Sequence, residues 1–135
     1  MSNFVIFDTS IVVDQIRTNC HLNRFVQVDG LIRNSSVVLA ELWRGVSSSI
    51  DRKIVEVMER NHPILTVTAN NWLESGQILA KMRADKGFEP HKLRDLHFDV
   101  LIALTARSCG ARLITSNRAD FELIRTYRDF KLEIW

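Results

Sequence analysis

Along this chain, short apolar runs alternate with stretches in which apolar residues recur every three or four positions. Residues 3–7 (Asn-Phe-Val-Ile-Phe) form a compact apolar run that suits a buried strand. The run stops at Asp8-Thr9-Ser10, residue types that favour turns and helix starts. Residues 11–17 and 22–33 carry helical periodicity with weak boundaries. Ser36 to Val38 reads as a short strand running into a helix over 39–47. Residues 51–61 set Ile54, Val55, Val57 and Met58 among charges, the pattern of an amphipathic helix. Residues 64–67 (Ile-Leu-Thr-Val) predict a second strand. The spacing then predicts a helix over 69–85, with Trp72, Leu73, Ile78, Leu79 and Met82 on one side and Gly87 beyond its end. Another helix is predicted over 94–108, stopping at Gly110. Residues 112–115 give a third strand, 118–125 a short helix and 130–134 a last strand.

Strands alternating with helices predict an α/β fold with a central, mostly parallel sheet flanked by helices. A chain of 135 residues without repeats or linkers fits one domain over 1–135. In such folds the ligand site lies outside the carboxyl ends of the strands, and Asp8 and Thr115 stand at two of those ends.

Composition narrows the class without naming it. With 46% apolar and 25% charged residues the chain has the makeup of a globular domain, which excludes a disordered one. A net charge of +2 does not by itself mark a nucleic-acid binder, because that footprint depends on where the charge lies. Cys20 and Cys109 are far apart and lack metal-ligand spacing, so free buried thiols are expected. The N-terminus lacks a basic leader and a cleavage site, and no apolar run approaches the ~18 residues of a membrane span. A cytoplasmic protein without membrane contact is the expectation.

Candidate chemistry rests on the carboxylates. There are 16, so selecting among them needs a physical rule. A solvated acid sits among polar neighbours, whereas burying a charge costs several kcal/mol unless something compensates it. Within four positions on each side, Asp8, Glu41 and Asp99 each have six apolar neighbours. Asp29 has five and every other acid four or fewer. Each of the three has an ordinary alternative as a helix cap or paired structural acid. Three such acids from separate elements repel one another unless a cation joins them, and an all-oxygen set suits Mg2+ or Mn2+. His21, His62, His91 and His97 are scattered and are expected on the surface or in packing. A fourth acid is expected from Thr115-Ser116-Asn117-Arg118-Ala119-Asp120-Phe121, with Asp120 reaching the cluster directly or through water. Asp120 can also be read as a first-turn helix acid, and Asn117 as a turn residue or helix cap. Asp95 lies four residues before Asp99, on the same helix face, either in the site or on its rim.

Four motifs in order resemble PIN-domain proteins: Asp-Thr-Ser after the first strand, Ala-Glu-Leu-Trp-Arg-Gly near position 40, Phe-Asp-Val-Leu-Ile-Ala-Leu-Thr-Ala, and Leu-Ile-Thr-Ser-Asn-Arg-Ala-Asp-Phe. The resemblance runs from Phe4 to Trp135, and the short form looks like a VapC-type toxin of a toxin–antitoxin pair. It implies a PIN-like three-layer fold and a catalytic carboxylate set of Asp8, Glu41 and Asp99, completed by Asp120 or Asn117. Asp8 and Asp99 would hold the metal. It further implies an RNA substrate, Mg2+ or Mn2+, a homodimer and a small inhibitory antitoxin. Thr9, Ser10, Thr115, Ser116 and Asn117 are candidates for orienting the acids by hydrogen bonds. Arg44, Arg112 and Arg118 are candidates for contacts to the RNA backbone.

The expected reaction is metal-assisted hydrolysis of a phosphodiester. Rival readings are a DNA-cutting nuclease and a non-catalytic PIN-like module that binds RNA or protein. Other acid-after-strand enzymes fit less well. A haloacid-dehalogenase-like phosphatase wants an acid where Ser10 stands, and a receiver domain wants adjacent acids where only Asp8 is found. No phosphate-binding Gly-x-x-x-x-Gly-Lys loop is present.

Overall fold

The structure, a computed structural model, describes residues 3–135; Met1 and Ser2, part of the segment read above for a leader, lie outside the described residues. Its main sheet has four parallel strands in the order β2-β1-β5-β6. These are β1 (Phe4–Phe7), β2 (Leu31–Ile32), β5 (Arg112–Thr115) and β6 (Lys131–Ile134). Val5 and Ile6 in β1 and Leu113 and Ile114 in β5 are fully buried, as expected of parallel strands covered on both faces. The chain runs from β1 out to β2 on one side, and returns much later to β5 on the other. The strand order therefore reverses between β1 and β5, where Brändén's rule puts a ligand crevice.

Seven helices fill the connections among the described residues: α1 (Thr9–Thr18), α2 (Leu22–Gln27), α3 (Ser36–Arg44), α4 (Ser49–Asn61), α5 (Ala69–Lys86), α6 (Pro90–Cys109) and α7 (Arg118–Tyr127). Side chains cap four of them: Ser35 for α3, Ser48 for α4, Thr68 for α5 and Asn117 for α7. Gly87 and Gly110 end α5 and α6 in the left-handed conformation that glycine adopts without penalty. Helix α6 is the spine of the core. Every residue from Val100 to Ala106 is buried, so this segment is apolar nearly all round. No helix among the described residues is long and apolar enough to cross a membrane.

The sheet and its helical layers match the predicted architecture, while several local expectations need correction. The helix expected over 22–33 ends at Gln27, and residues 31–32 form β2 instead. Gly30 enforces the break: its φ is +137°, and an added Cβ would lie 2.7 Å from the Asn3 carbonyl oxygen. The strand expected at Ser36–Val38 is the first turn of α3, because the Ser35 hydroxyl accepts from the Val38 N–H at 3.3 Å. The strand expected over 64–67 shrinks to β4 (Ile64–Leu65), which pairs with β3 (Asn34–Ser35) in a separate two-stranded sheet. On α5 the inward line is Asn71, Ser75, Ile78 and Met82, whereas Trp72 and Leu73 are 50% and 69% exposed. Cys20 is exposed and Cys109 half-buried, so neither is the fully buried thiol expected.

Candidate active site

Asp8 follows β1 directly, and register carries it to Thr115. Phe7 is paired with Ile114, and the Asp8 N–H continues the ladder to the Ile114 carbonyl at 2.8 Å. Asp8 occupies the N-cap position of α1, yet its carboxylate caps nothing. Its Oδ2 accepts instead from the Ser10 hydroxyl and the Thr115 hydroxyl, both at 2.8 Å. The acid is 4% exposed, so these charge-assisted bonds compensate its burial. Among the described residues no donor reaches its other oxygen, Oδ1.

The turn after β5 is tied to the same network. The Thr115 hydroxyl accepts from the Asn117 N–H at 3.0 Å, and the Ser10 hydroxyl accepts from the Ser116 N–H at 3.2 Å. The Ser116 hydroxyl donates to Asp14 Oδ2 at 3.0 Å, and His21 Nε2 lies 3.6 Å from that oxygen. The start of α1 and the start of α7 are thereby clamped together at the carboxyl ends of β1 and β5.

Glu41 comes from the second turn of α3. Thr9, next to Asp8, donates to its Oε1 at 2.7 Å. Burial raises the Glu41 pKa, the Thr9 hydrogen bond opposes that, Asp8 raises it further and Arg44 lowers it. Asp99 projects from the buried part of α6. Burial, and then the charges of Asp8, Glu41 and Asp120, push its pKa up to about 8, with Lys92 pulling the other way. None of the described residues donates a hydrogen bond to the Asp99 carboxylate or pairs with it. Asp120, in the first turn of α7, is held on both oxygens: Asn117 Nδ2 donates to Oδ2 and Lys92 Nζ to Oδ1, each at 3.2 Å. Asp99 on α6 thus feels the charge of three acids, from α3 and the starts of α1 and α7.

The supporting residues divide. Thr9 and Thr115 hold Glu41 and Asp8, while Asn117 both caps α7 and steadies Asp120. Asp95 is exposed on the rim. Arg44 is close enough to stabilise the Glu41 charge, and its guanidinium lies 5.8 Å from the centre of the Phe98 ring. Arg118 is exposed and pairs with Glu122 along α7. Arg112 departs from expectation: it opens β5, at the end of the strand opposite Thr115, and is engaged by the Asp29 carbonyl and by Glu133. Its proximity to Thr115 is in sequence only, since three strand residues span about 10 Å. Sequence reading passed over Lys92. The available signal was its place seven residues before Asp99, two turns along the same helix face.

A metal ion suits this donor set. Asp99 is a half-buried carboxylate among three other acids, and among the described residues no donor reaches it or the Asp8 Oδ1. Such oxygens are satisfied by a hard cation or by protonation. Among the described residues no three His, Cys, Asp or Glu side chains form a ready-made metal cage. Mg2+ does not need one, as it commonly keeps several waters and takes one or two carboxylates.

Comparisons with known proteins agree with this architecture. The family model described as "PIN domain" matches residues 5–127. A chain in the crystal structure of VapBC2 from Rickettsia felis, bound to a DNA fragment from its promoter, superposes with a TM-score of 0.74. It is 25% identical, over 98% of this chain and 98% of that one. A chain of DNA-bound VapBC from Salmonella typhimurium gives a TM-score of 0.73 at 27% identity, over 100% of this chain and 99% of that one. VapBC-1 from nontypeable Haemophilus influenzae shares the fold, with a TM-score of 0.70 at 21% identity over 98% of each chain. No curated protein matches. The family match spans the strand before Asp8, the helices carrying Glu41 and Asp99, and the turn and helix of Asp120, so the chain belongs to the PIN-domain family.

Proposed function

We propose that this protein is a Mg2+- or Mn2+-dependent endoribonuclease, the toxin of a type II toxin–antitoxin pair, acting in the cytoplasm. The observation that carries the reading is Asp99: a half-buried carboxylate, repelled by Asp8, Glu41 and Asp120 and without a hydrogen-bond donor among the described residues. A structural acid would have a partner. An acid kept in that state at a strand-order reversal is suited to binding a cation.

Asp8, through its free Oδ1, and Asp99 would hold the ion, with Glu41 beside them. A bound ion supplies an acidified water and neutralises charge that grows on the phosphate. The chain's own groups set the stage. Ser10 and Thr115 fix the Asp8 carboxylate, and Thr9 fixes Glu41, so the acids are oriented before any ligand arrives. Partial burial of Asp99 strengthens the pull of its charge on a cation. Arg44, beside Glu41, offers a guanidinium to the phosphate of the strand being cut.

The toxin–antitoxin reading draws on the similarity to the VapBC structures from Rickettsia felis and Salmonella typhimurium. Two surfaces support partners. A cavity of about 500 Å3 lined by Val12, Ile16, Phe25, Val38, Ile54 and Met58 offers an apolar seat for a small antitoxin segment. Exposed Trp72, Leu73 and Phe98 offer an apolar face for a homodimer. The direct test maps fragments of total RNA incubated with the protein in Mg2+ and in EDTA. Discrete Mg2+-dependent ends are expected. Cleavage of DNA and not RNA, or binding without cleavage, would overturn the reading.

A further inference from the structure

The first turn of α6 contains no acid and instead carries Lys92, two residues after Pro90. A cation there faces the positive end of the helix dipole and is disfavoured unless something offsets it. Asp120 offsets it, accepting from Lys92 Nζ at 3.2 Å. The other oxygen of Asp120 accepts from Asn117, so this acid has a protein donor on each oxygen. Asp8 and Asp99 do not: Asp8 takes both its hydroxyl bonds on Oδ2, and Asp99 has none. The three aspartates therefore fall into two kinds. Asp8 and Asp99 have oxygens open to an incoming cation, while Asp120 already holds one. Lys92 lies on the Asp99 helix two turns away, and its charge reaches Asp99 against the three acids.

We propose that Lys92, held in place by Asp120, is the resident cation of the acidic site and stands where a second divalent metal ion would otherwise bind. This rests on the metal-dependent nuclease reading and refines it: one ion belongs to Asp8 and Asp99. Asp120 acts through Lys92 as a positioning residue. An ammonium has three N–H donors, and Asp120 takes one, which leaves two for a phosphate oxygen or water. Were the pair a simple tie between α6 and α7, its removal would alter stability and leave metal stoichiometry alone.

Calorimetric titration of Mn2+ into the EDTA-stripped full-length chain separates these outcomes. The wild type is expected to take up one ion per chain. Lys92→Met should admit a second ion and bind the first roughly tenfold tighter, because a unit charge close to a divalent ion is worth at least that at a partly exposed site. Lys92→Arg, which keeps the charge, should behave as the wild type. Lys92→Gln, polar and uncharged, should repeat the Lys92→Met result and guards against poor folding of the latter. A Lys92→Met or Lys92→Gln chain that binds one Mn2+ with wild-type affinity overturns the proposal, as does a wild type that binds two. A wild type that binds no Mn2+ overturns the metal reading, and this inference with it.

Discussion

In the metal-free protein, Asp99 should make folding stability fall as pH rises. An ordinary aspartate has a pKa near 3.8, and in the folded chain burial and the neighbouring acids push Asp99 to about 8. Between those values the folded state binds a proton that the unfolded state has released. The unfolded state thus binds fewer protons, and the slope of unfolding free energy against pH is negative. The stabilisation is complete below pH 3.8 and is lost as pH rises through about 8. Each pH unit in the window is worth about 1.4 kcal/mol, so moving from pH 5 to pH 7 should cost on the order of 3 kcal/mol. At about 3–5 °C per kcal/mol for a chain of this size, that is a fall of roughly 10 °C or more in Tm. The informative quantity is the difference between wild type and Asp99→Asn, in which the contributions of the groups common to both chains cancel. Melting curves of both in EDTA from pH 5 to 9 should diverge, with the variant gaining relative stability as pH rises. Glu41, raised in the same direction, keeps a smaller residual slope in the variant. Adding Mn2+ should reverse the trend for the wild type, because the ion binds the deprotonated carboxylate and stabilises the native state by mass action. Parallel pH dependences for wild type and variant would refute the argument, as would a wild-type Tm unmoved by millimolar Mn2+ at pH 8.

Three further expectations follow from the same geometry. Asp8→Asn and Asp99→Asn should each leave a folded chain, by circular dichroism, that has lost nearly all Mg2+-dependent cleavage; comparable cleavage by folded Asp99→Asn would remove it from the site. Thr9→Val deletes the donor at 2.7 Å from Glu41 Oε1, and should lower metal-dependent activity about 10- to 100-fold with little change in Tm, as measured by single-turnover cleavage beside thermal melts. Light scattering at micromolar concentration should give the mass of a dimer, and Leu73→Glu on the exposed α5 face should shift it to that of a monomer.

How much of this was legible in the sequence depends on which physical signal each element leaves. Counting apolar neighbours picks out Asp8, Glu41 and Asp99 because each lies within a segment that the core buries, so the chain on either side forces the charge inward. The rule is blind to Asp120, which begins an amphipathic helix and has polar neighbours; only the motif around it pointed there. Nor does it register Lys92, whose significance lies in a partner 28 residues away. The large strands and helices leave long periodic signals, but β2, β3 and β4 have two residues each, too few to show a period. The false helix over 28–33 did have a visible warning in Asp29-Gly30, a turn dipeptide whose glycine proves indispensable. Arg112 is close to Thr115 along the chain, but β5 carries the two to opposite ends of the sheet, a separation that sequence spacing does not display.

Asp8 shows why the site needed the structure as well as the sequence. An acid directly after a strand and before a helix has an ordinary explanation as a helix cap, and sequence cannot exclude it. The carboxylate does occupy the N-cap position of α1, yet it takes no capping bond. A capping acid would accept an N–H from the first turn of its own helix and gain the usual stability of about 1 kcal/mol. Asp8 forgoes this and accepts hydroxyls from Ser10 and from Thr115, the latter 107 residues away on the neighbouring strand. That arrangement turns Oδ2 towards the protein and leaves Oδ1 without a donor among the described residues, in a residue only 4% exposed. Stability alone would favour the cap. A fold that instead spends two hydroxyls on aiming one oxygen, next to three other acids, has the arrangement that the proposed cation site requires.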